Sequence, residues 1–543
     1  AKLEKRARSA LQTRSLNSPK YVSRKSFLIG YASYLLAYPI GRLLPCRGRK
    51  CSIKYLFQKV WAMITALSRT DWAHRWKIVG VLLIVLLVRL SLFVAGTPWG
   101  SVKARDIYLK ADPGGYHQLA LNLLQTGQYA FMPNPTPEQI SKAFADPKLW
   151  RLPGEPEALW PPLYSLFIAG IYAITGGQIA SVLLMQILLS LLVAIALYST
   201  SLHLFKSEQI ALLTMFLFAI EPTMILLPNI MYSDFIFILF LSIFYFLFIR
   251  SVIAVSQCSY RAVGWGLASG LALGLAAMTH ARGVMFLPIA LLVLLVALWG
   301  VSVRFRLLVA LMVLIGYLAA TGYWYWRNYR VFGEWAFSTA SSYNLLIGAS
   351  MVAPVQKREA SIEWVFRQAR MRMEQRGDPF QMNPFERAEI WRETALELIR
   401  THPAEYLRAH VKRILTVALV PGTSEYEAIL TRTSQIEQFK LKEGRLPRMS
   451  ALRWTIFVWG VLFTLLLYGT GAIGLLCCKR LSGPVALLVT IAVMAILLTS
   501  ISNTHPRMRA PALLFLLPYS AAGLASTANR IASLVHRRTE PLG

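Results

Sequence analysis

IVGVLLIVLLVRLSLFVAG, from Ile78 to Gly96, is an apolar run with Arg89 as its one charged side chain. A bilayer core about 30 Å thick is crossed by a helix of roughly 20 such residues. Similar runs recur along the 543-residue chain, of which 56% is hydrophobic and 15% is charged. Within a bilayer core only helices and closed barrels satisfy their backbone hydrogen bonds. The sequence therefore predicts an all-α protein that crosses a membrane many times.

The formal net charge of +31 would suit a nucleic-acid-binding protein, but its distribution does not. Basic residues concentrate in residues 1–77 and where apolar runs end. Basic side chains beside membrane helices mark the cytoplasmic side and contact anionic lipid headgroups. We therefore expect anionic membrane lipids, and no nucleic acid, as partners. Residues 1–77 are predicted to form a basic cytoplasmic or interfacial extension, with Phe27–Leu44 at the interface and no cleavable secretory signal.

Ten spans satisfy the positive-inside rule when the N-terminus is cytoplasmic. The predicted spans are 78–96, 179–204, 209–227, 235–249, 263–278, 284–299, 307–326, 454–478, 485–500 and 510–528. The short apolar segment Leu163–Thr175 is assigned to a half-helix at the outer interface, because a span there would invert every later basic loop. The predicted regions are a transmembrane catalytic core (78–326) with a long first outer loop (97–162), an outer domain (327–453), C-terminal spans (454–528) and a basic cytoplasmic tail (529–543).

The predicted outer domain has the composition of soluble amphipathic helices. Asn383 can cap a helix, Pro384 suits its first turn, and Glu386 completes a capping box. Pro403 should end this helix, and a second should follow toward Ile414. Two roles stay open for these helices. They cover the membrane core and hold an acceptor or exclude water, or they form a plain structural cap.

The predicted topology brings unusual polar residues to the outer ends of helices. They come from distant parts of the chain: Asp112, Asp234, His280, Arg282, Arg327, Arg507 and Arg509. Charges at the membrane edge are costly, so a set that gathers at one level indicates a shared polar site. A carboxylate can take a proton from an attacking hydroxyl, and arginines stabilise a phosphate. No nucleotide sugar is expected outside the cytoplasm, so a lipid-linked phosphate is the expected activated substrate.

Most of these residues also have structural interpretations. Asp112 precedes Pro-Gly-Gly, which is ordinary turn chemistry. Asp234 follows a serine at the start of an apolar helix and could serve as a cap. His280, Arg282 and Arg327 could anchor helix ends at the interface.

Several motifs resemble, in order, the polyprenyl-phosphate-sugar-dependent glycosyltransferases of the GT-C superfamily. The segment ADPGGYHQLALNLLQTGQYAF (111–131) resembles the first outer loop of these enzymes. The further motifs are WPPLYSLFIAGIYAITGG (160–177), YSDFIF (232–237), GLAAMTHARGVMFLP (274–288), YWRNYRVFGEWAFST (325–339), THPAEYLRAHVKRIL (401–415) and HPRMRAPALLFLLP (505–518). Together they cover roughly residues 78–530. The group includes aminoarabinose transferases, protein O-mannosyltransferases and rhizobial lipopolysaccharide galacturonosyltransferases.

The resemblance implies a GT-C fold with about ten transmembrane helices, an outer half-helix and a helical periplasmic domain. It also implies transfer with inversion from a polyprenyl-phosphate sugar to a hydroxyl of a glycan, lipid or protein. Asp112 would be the general base, and Asp234 would orient the acceptor or a metal. His280, Arg282 and Arg327 would contact the donor phosphate, and Arg507 would be a donor or structural contact. The expected location is the inner (plasma) membrane, with the site on the periplasmic face.

The chain departs from some relatives at a metal-binding position. Those relatives carry Glu-Lys before the Pro-Pro pair, where this chain has Leu159 and Trp160. The nearest acids are Glu155 and Glu157, so no cofactor is assigned and a divalent metal is left open. Two other functions are left open as well. One is an O-antigen ligase or polymerase with a lipid-pyrophosphate donor, and the other is a lipid or sugar transporter.

Overall fold

The computed structural model describes residues 72–99, 108–109, 112–146, 151–296, 298, 300–355, 358–432, 450–477, 482–499 and 505–539. The predicted extension up to residue 71, with Phe27–Leu44, and the last residues of the predicted tail lie outside these ranges.

The described residues fold into α-helices joined by loops and short 3₁₀ turns. The first eleven helices are Trp72–Gly96 (α1), Asp112–Thr126 (α2), Pro137–Ala145 (α3), Leu163–Thr175 (α4), Ile179–Phe205 (α5), Glu208–Ile220 (α6), Pro222–Leu226 (α7), Asp234–Ser256 (α8), Arg261–Thr279 (α9), Phe286–Val296 (α10) and Val303–Phe332 (α11). The others are Ala340–Ala349 (α12), Arg358–Arg376 (α13), Pro384–Thr401 (α14), Pro403–Leu419 (α15), Thr423–Thr431 (α16), Ala451–Cys477 (α17), Ser482–Leu498 (α18) and Ala510–Thr539 (α19).

Seven helices in the described part of the chain are long and apolar enough to cross a membrane. They are α1, α5, α8, α9, α11, α17 and α19. This confirms the predicted all-α, multi-pass architecture. A bent pair of helices adds an eighth span if it crosses as one, and two shorter apolar helices, Ala281–Val296 and Pro484–Leu498, occupy the other predicted positions. The count of ten stays a prediction. So does the interfacial place of α4, whose bounds are those predicted.

The span predicted over 209–227 is not a single straight helix in the structure. The chain is bent by 64° between α6 and the segment Pro222–Asn229. Proline has no backbone N–H and cannot continue the hydrogen-bond ladder of α6. The side chain of Glu221 caps the next helix instead, accepting from the Met224 N–H at 2.7 Å.

A fully buried arginine holds this bend. Arg89 of α1 donates to the carbonyl of Phe218 at 3.2 Å and to that of Met224 at 3.1 Å. Carbonyls at the end of a helix have no partner within the helix and need another donor. The hydroxyl of Tyr426, on α16, donates to the carbonyl of Pro222 at 2.6 Å. The bend is therefore tied both to the first span and to a helix of the predicted outer domain.

Small residues let the long helices approach closely. A Cβ added at Gly270 of α9 would collide with the backbone of Val313 on α11, and one at Gly316 would collide with that of Leu267. Gly474 and Gly523 allow the same contact between α17 and α19. In a bilayer, helix pairs gain little from the hydrophobic effect, and close backbone packing takes its place.

Helices α12, α13 and α14 pack around a second core that includes the buried side chains of Phe366 and Trp391. The predicted capping box at Asn383 is confirmed, since its side chain accepts from the Glu386 N–H and the Glu386 side chain accepts from the Asn383 N–H. The predicted break before Pro403 is also confirmed. The proposed boundaries of the outer domain stay a prediction. Helix α11 runs on to Phe332 and places Arg327 within it, because no proline or glycine lies between Arg327 and Gly333.

Two buried ion pairs fasten the first loop. Glu155 pairs with Arg387 of α14 at 2.5 Å, and Glu157 pairs with Arg151 at 2.9 Å. Arg151 also lies over the ring of Trp160, at 3.8 Å from its centre. The first pair joins the loop to the second core, 232 residues further along the chain.

Replacing Arg387 by methionine is expected to lower the free energy of unfolding by about 3–5 kcal/mol, because it leaves the Glu155 carboxylate buried without its partner. The double variant Glu155→Leu, Arg387→Met should recover most of this loss. Thermal unfolding of the purified proteins measures both, with Arg392→Met on the exposed side of α14 as the control. A double variant no more stable than Arg387→Met would contradict the assignment.

Candidate active site

Asp112 is the first residue of α2, so the structure places it at a helix start and not in a separate turn. The following glycines are needed for packing. A Cβ at Gly115 would collide with the ring of Trp160, and Tyr116 stacks on the same ring at 4.4 Å. Close packing against Trp160 therefore fixes where α2 starts and where the carboxylate lies.

Asp234 is the first residue of α8 and is buried. Ser233 occupies the capping position, so Asp234 is not the cap that the sequence left open. The Oδ1 atom of Asp234 instead accepts a hydrogen bond from Nη2 of Arg282 at 2.7 Å, across 48 residues of chain. Nη1 of Arg282 donates to the carbonyl of Met508 at 3.2 Å.

Arg507 joins the two acids. Its Nη2 lies 2.5 Å from Oδ2 of Asp112, and its Nη1 lies 3.6 Å from Oδ2 of Asp234. The guanidinium also lies over the ring of Tyr232, 3.9 Å from its centre. We call Asp112, Asp234, Arg282 and Arg507 the acid–arginine cluster. Residues from four distant segments thus form one chain of ion pairs.

The two arginines are presented by turns of the same construction. His280 accepts from the backbone N–H of Arg282 through Nδ1 at 3.2 Å, and His505 does the same for Arg507 at 3.2 Å. Each histidine caps a short 3₁₀ turn. The repeated His-X-Arg pattern was visible in the sequence, but its common geometry was not.

The two histidines differ in their surroundings. Burial, reinforced by the positive charge of Arg282, lowers the pKa of His280 to about 3. His280 is therefore neutral at neutral pH and shapes the turn without adding a cation for a phosphate. His505 instead pairs with Glu425 of α16, with Nε2 2.8 Å from Oε1. Burial alone would raise the pKa of Glu425, but the adjacent His505 lowers it to about 2, which keeps this acid ionised.

Access differs within the cluster. The side chain of Asp112 is 40% exposed, whereas those of Arg507 and Asp234 are 8% and 2% exposed. Asp112 is thus the acid that an incoming molecule reaches first. The Nε atoms of Arg282 and Arg507 are buried and have no hydrogen-bond acceptor among the described residues. Buried arginines elsewhere in the described part of the chain, such as Arg89 and Arg387, share this feature.

Arg327 and Arg509 were predicted at the outer ends of helices together with the cluster residues. In the structure both have contacts outside the acid–arginine cluster. Nη1 of Arg327 donates to the carbonyl of Glu157 at 2.7 Å, and its guanidinium lies over the ring of Trp324. These contacts attach α11 to the first loop. Arg509 is fully buried and lies 3.7 Å from Glu221, at the bend after α6.

Some relevant residues had no recognisable signal in the sequence. Glu425 lies in a polar stretch without a motif, and Tyr232, although it opens the YSDFIF motif, was assigned no role. Glu155 and Glu157 were noted as the nearest acids to the Pro-Pro pair, but both pair with arginines. Among the described residues no group of three His, Cys, Asp or Glu side chains is placed to hold a metal ion.

Comparison with known proteins gives one family match. Residues 160–326 match the family described as dolichyl-phosphate-mannose-protein mannosyltransferase. This segment runs from Trp160, just before the Pro-Pro pair, into α11, and it contains Asp234 and Arg282. No curated protein sequence matches the chain.

Two solved structures are similar to the chain at low identity. The archaeal oligosaccharyltransferase AglB from Archaeoglobus fulgidus, in complex with an inhibitory peptide and a dolichol-phosphate, is 16% identical with a TM-score of 0.47, over 87% of this chain and 53% of that one. ArnT from Cupriavidus metallidurans bound to undecaprenyl phosphate is 13% identical with a TM-score of 0.33, over 85% and 81%.

The chain spans about half the length of the oligosaccharyltransferase. Neither structural likeness assigns a role to a residue of this chain. The family match supports, over residues 160–326, the resemblance that the sequence motifs indicate.

Proposed function

We propose that the protein transfers a sugar from a polyprenyl-phosphate carrier to an acceptor hydroxyl, with Asp112 as the general base. The observation that carries this proposal is the acid–arginine cluster: a half-exposed carboxylate bridged to a buried acid by arginines from remote segments. The description of the matched family, whose donor is a dolichyl-phosphate sugar, supports a lipid-monophosphate donor. The acceptor is a glycan, a lipid or a protein.

The reaction forms a bond between the acceptor oxygen and C1 of the sugar, and it breaks the bond between C1 and the phosphate oxygen. Asp112 accepts the proton of the attacking hydroxyl. Arg282 and Arg507 stabilise the negative charge that develops on the departing phosphate. Attack from the face opposite the phosphate inverts the configuration at C1.

Arg507 has a double role in this scheme. In the structure the guanidinium of Arg507 forms ion pairs with Asp112 and Asp234. A donor phosphate competes for the same guanidinium, since arginine binds phosphate and carboxylate through the same planar donors. Binding of the donor then frees Asp112 to face the acceptor hydroxyl. Asp234 keeps Arg282 in place through its 2.7 Å contact.

We place the reaction at the end of the membrane helices where the cluster lies, and we assign this end to the periplasmic face of the inner (plasma) membrane. The opposite ends of α5, α8 and α9 carry Lys206, Arg250 and Arg261, as expected for a cytoplasmic side. Here the sugar reaches the enzyme already activated on its lipid, and no nucleotide is required.

The decisive experiment offers the purified protein two donors, a polyprenyl-monophosphate monosaccharide and a polyprenyl-pyrophosphate oligosaccharide, with membranes as acceptor. We expect a product from the first alone, and NMR of the product should show the opposite anomeric configuration to the donor. Transfer from the pyrophosphate donor alone would replace the proposal with a ligase-like enzyme. Lipid flipping in liposomes without a new glycosidic bond would show that the protein is a transporter instead.

Mass spectrometry of envelope glycans from a deletion strain identifies the acceptor.

A further inference from the structure

Helix α15 presents an apolar stripe to the outside of the protein. Leu407, Val411 and Leu415 are 62%, 47% and 56% exposed. They are spaced four residues apart, so their side chains lie on one face of the helix. A soluble domain would bury such a stripe or carry polar residues there.

A different face of α15 is fixed to the membrane helices. Val417 on that face is buried. Nε2 of His410 lies 3.1 Å from the carbonyl oxygen of Leu498, the last residue of α18. The hydroxyl of Tyr468, on α17, donates to the carbonyl of Ala418 at 3.2 Å. The helix therefore lies at the level where α18 ends.

The apolar stripe adjoins surfaces that face lipid. Met494 and Leu498 of α18 are 55% and 57% exposed, as expected for the lipid-facing side of a membrane helix. Trp454, near the start of α17, is exposed as well, and tryptophan is typical of the interface. The stripe of α15 thus continues the apolar surface of the spans onto a helix beyond their ends.

Basic residues flank the stripe. Arg408 and Lys412 follow Leu407 and Val411 directly, and both are exposed. At 100° per residue they lie along one border of the stripe, on the same face as each other. An apolar face bordered by basic side chains is the pattern of helices that lie in the membrane interface. The border charges complement the phosphates of anionic lipids.

We infer that α15 lies in the plane of the membrane, with its stripe among the acyl chains and with Arg408 and Lys412 on the headgroup phosphates of anionic phospholipids. This surface is separate from the acid–arginine cluster, and the inference does not depend on the proposed function. The helix also touches the cluster's supporting turn, because Nη1 of Arg509 donates to the carbonyl of Ala418 at 3.1 Å. The interfacial helix therefore fixes the depth of the turn that carries Arg507.

Site-directed fluorescence tests the inference in the full-length protein. With the five native cysteines replaced by serine, an environment-sensitive dye is placed at Val411→Cys, or at Arg392→Cys on the exposed side of α14 as a matched control. Both proteins are reconstituted in vesicles that contain nitroxide-labelled phosphatidylglycerol or nitroxide-labelled phosphatidylcholine. Size-exclusion profiles and thermal unfolding confirm that the variants fold.

We expect the dye at position 411 to be quenched by the lipids and shielded from aqueous iodide, and the dye at position 392 to behave in the opposite way. Quenching by phosphatidylglycerol should exceed that by phosphatidylcholine roughly two- to fivefold, and the Arg408→Gln, Lys412→Gln double variant should abolish the excess. Strong iodide quenching at position 411 would overturn the inference. Shielding from both quenchers would also overturn it, because it would mean that protein covers the stripe. Equal quenching by the two lipids would show that the helix does not select anionic headgroups, and this part of the proposal would be wrong.

Discussion

Asp112→Asn is expected to reduce sugar transfer by about a thousandfold, within the range of 10²–10⁴ that general-base catalysis contributes. The amide keeps the size of the side chain but cannot accept the hydroxyl proton. Asp112 lies at the start of α2 and is 40% exposed, so the change should leave the fold intact. The measurement is kcat with a saturating lipid-monophosphate sugar, together with the thermal unfolding midpoint.

Glu138→Gln is the matched control for this variant. Glu138 is also an acid of the first loop that is paired with a basic side chain, but both partners are exposed and lie on α3. It should keep the activity of the unmodified protein. Full activity of Asp112→Asn would remove Asp112 as the base, whereas a large fall in the unfolding midpoint would mean that the charge serves the fold.

Arg507→Lys should lower kcat/KM by about 10²–10³, the usual loss when one fixed charge-stabilising group is removed. Lysine retains the charge, but a single ammonium cannot bridge both acids and stack on Tyr232 as the planar guanidinium does. Binding of the free polyprenyl phosphate should weaken in parallel. A thermal-shift titration with that lipid measures it.

The two variants should therefore separate by ligand binding. Asp112→Asn keeps the arginine fork and should still be stabilised by polyprenyl phosphate, whereas Arg507→Lys should lose most of that stabilisation. Arg392→Lys, on an exposed side chain of α14, serves as the control. Unchanged lipid binding and kcat/KM in Arg507→Lys would exclude Arg507 from the donor site.

The positions of the helices follow from local sequence, because each long apolar run must satisfy its own backbone as a helix. The capping box at Asn383 is predictable for the same reason, since its hydrogen bonds lie within four residues. The bend after Ile220 was missed although Pro222 signals it. The apolar run continues through the proline, so hydrophobicity alone predicts a single span.

The candidate site could be predicted only as a set of residues at one level. Asp112 and Arg507 are 395 residues apart, and no local pattern states that they touch. Motif resemblance supplied the residues, and the packing of α2, α8 and the turn before α19 supplied the pairing. Arg327 shows the limit of this reasoning. The resemblance implied a phosphate contact for it, a role that stays a prediction, and no sequence pattern indicated its hydrogen bond to the backbone of the first loop.

The buried Arg89 has a consequence for biogenesis. An arginine near the middle of a membrane helix costs about 2.5–3.5 kcal/mol when that helix inserts by itself. Within α1 the Arg89 guanidinium has one acceptor, the carbonyl of Val85, and the other carbonyls that satisfy it belong to residues synthesised 129 to 135 positions later. Until the translocon delivers that part of the nascent chain, most donors of this buried arginine have no protein acceptor. Stable integration of α1 therefore waits for ribosomal synthesis of a much later segment.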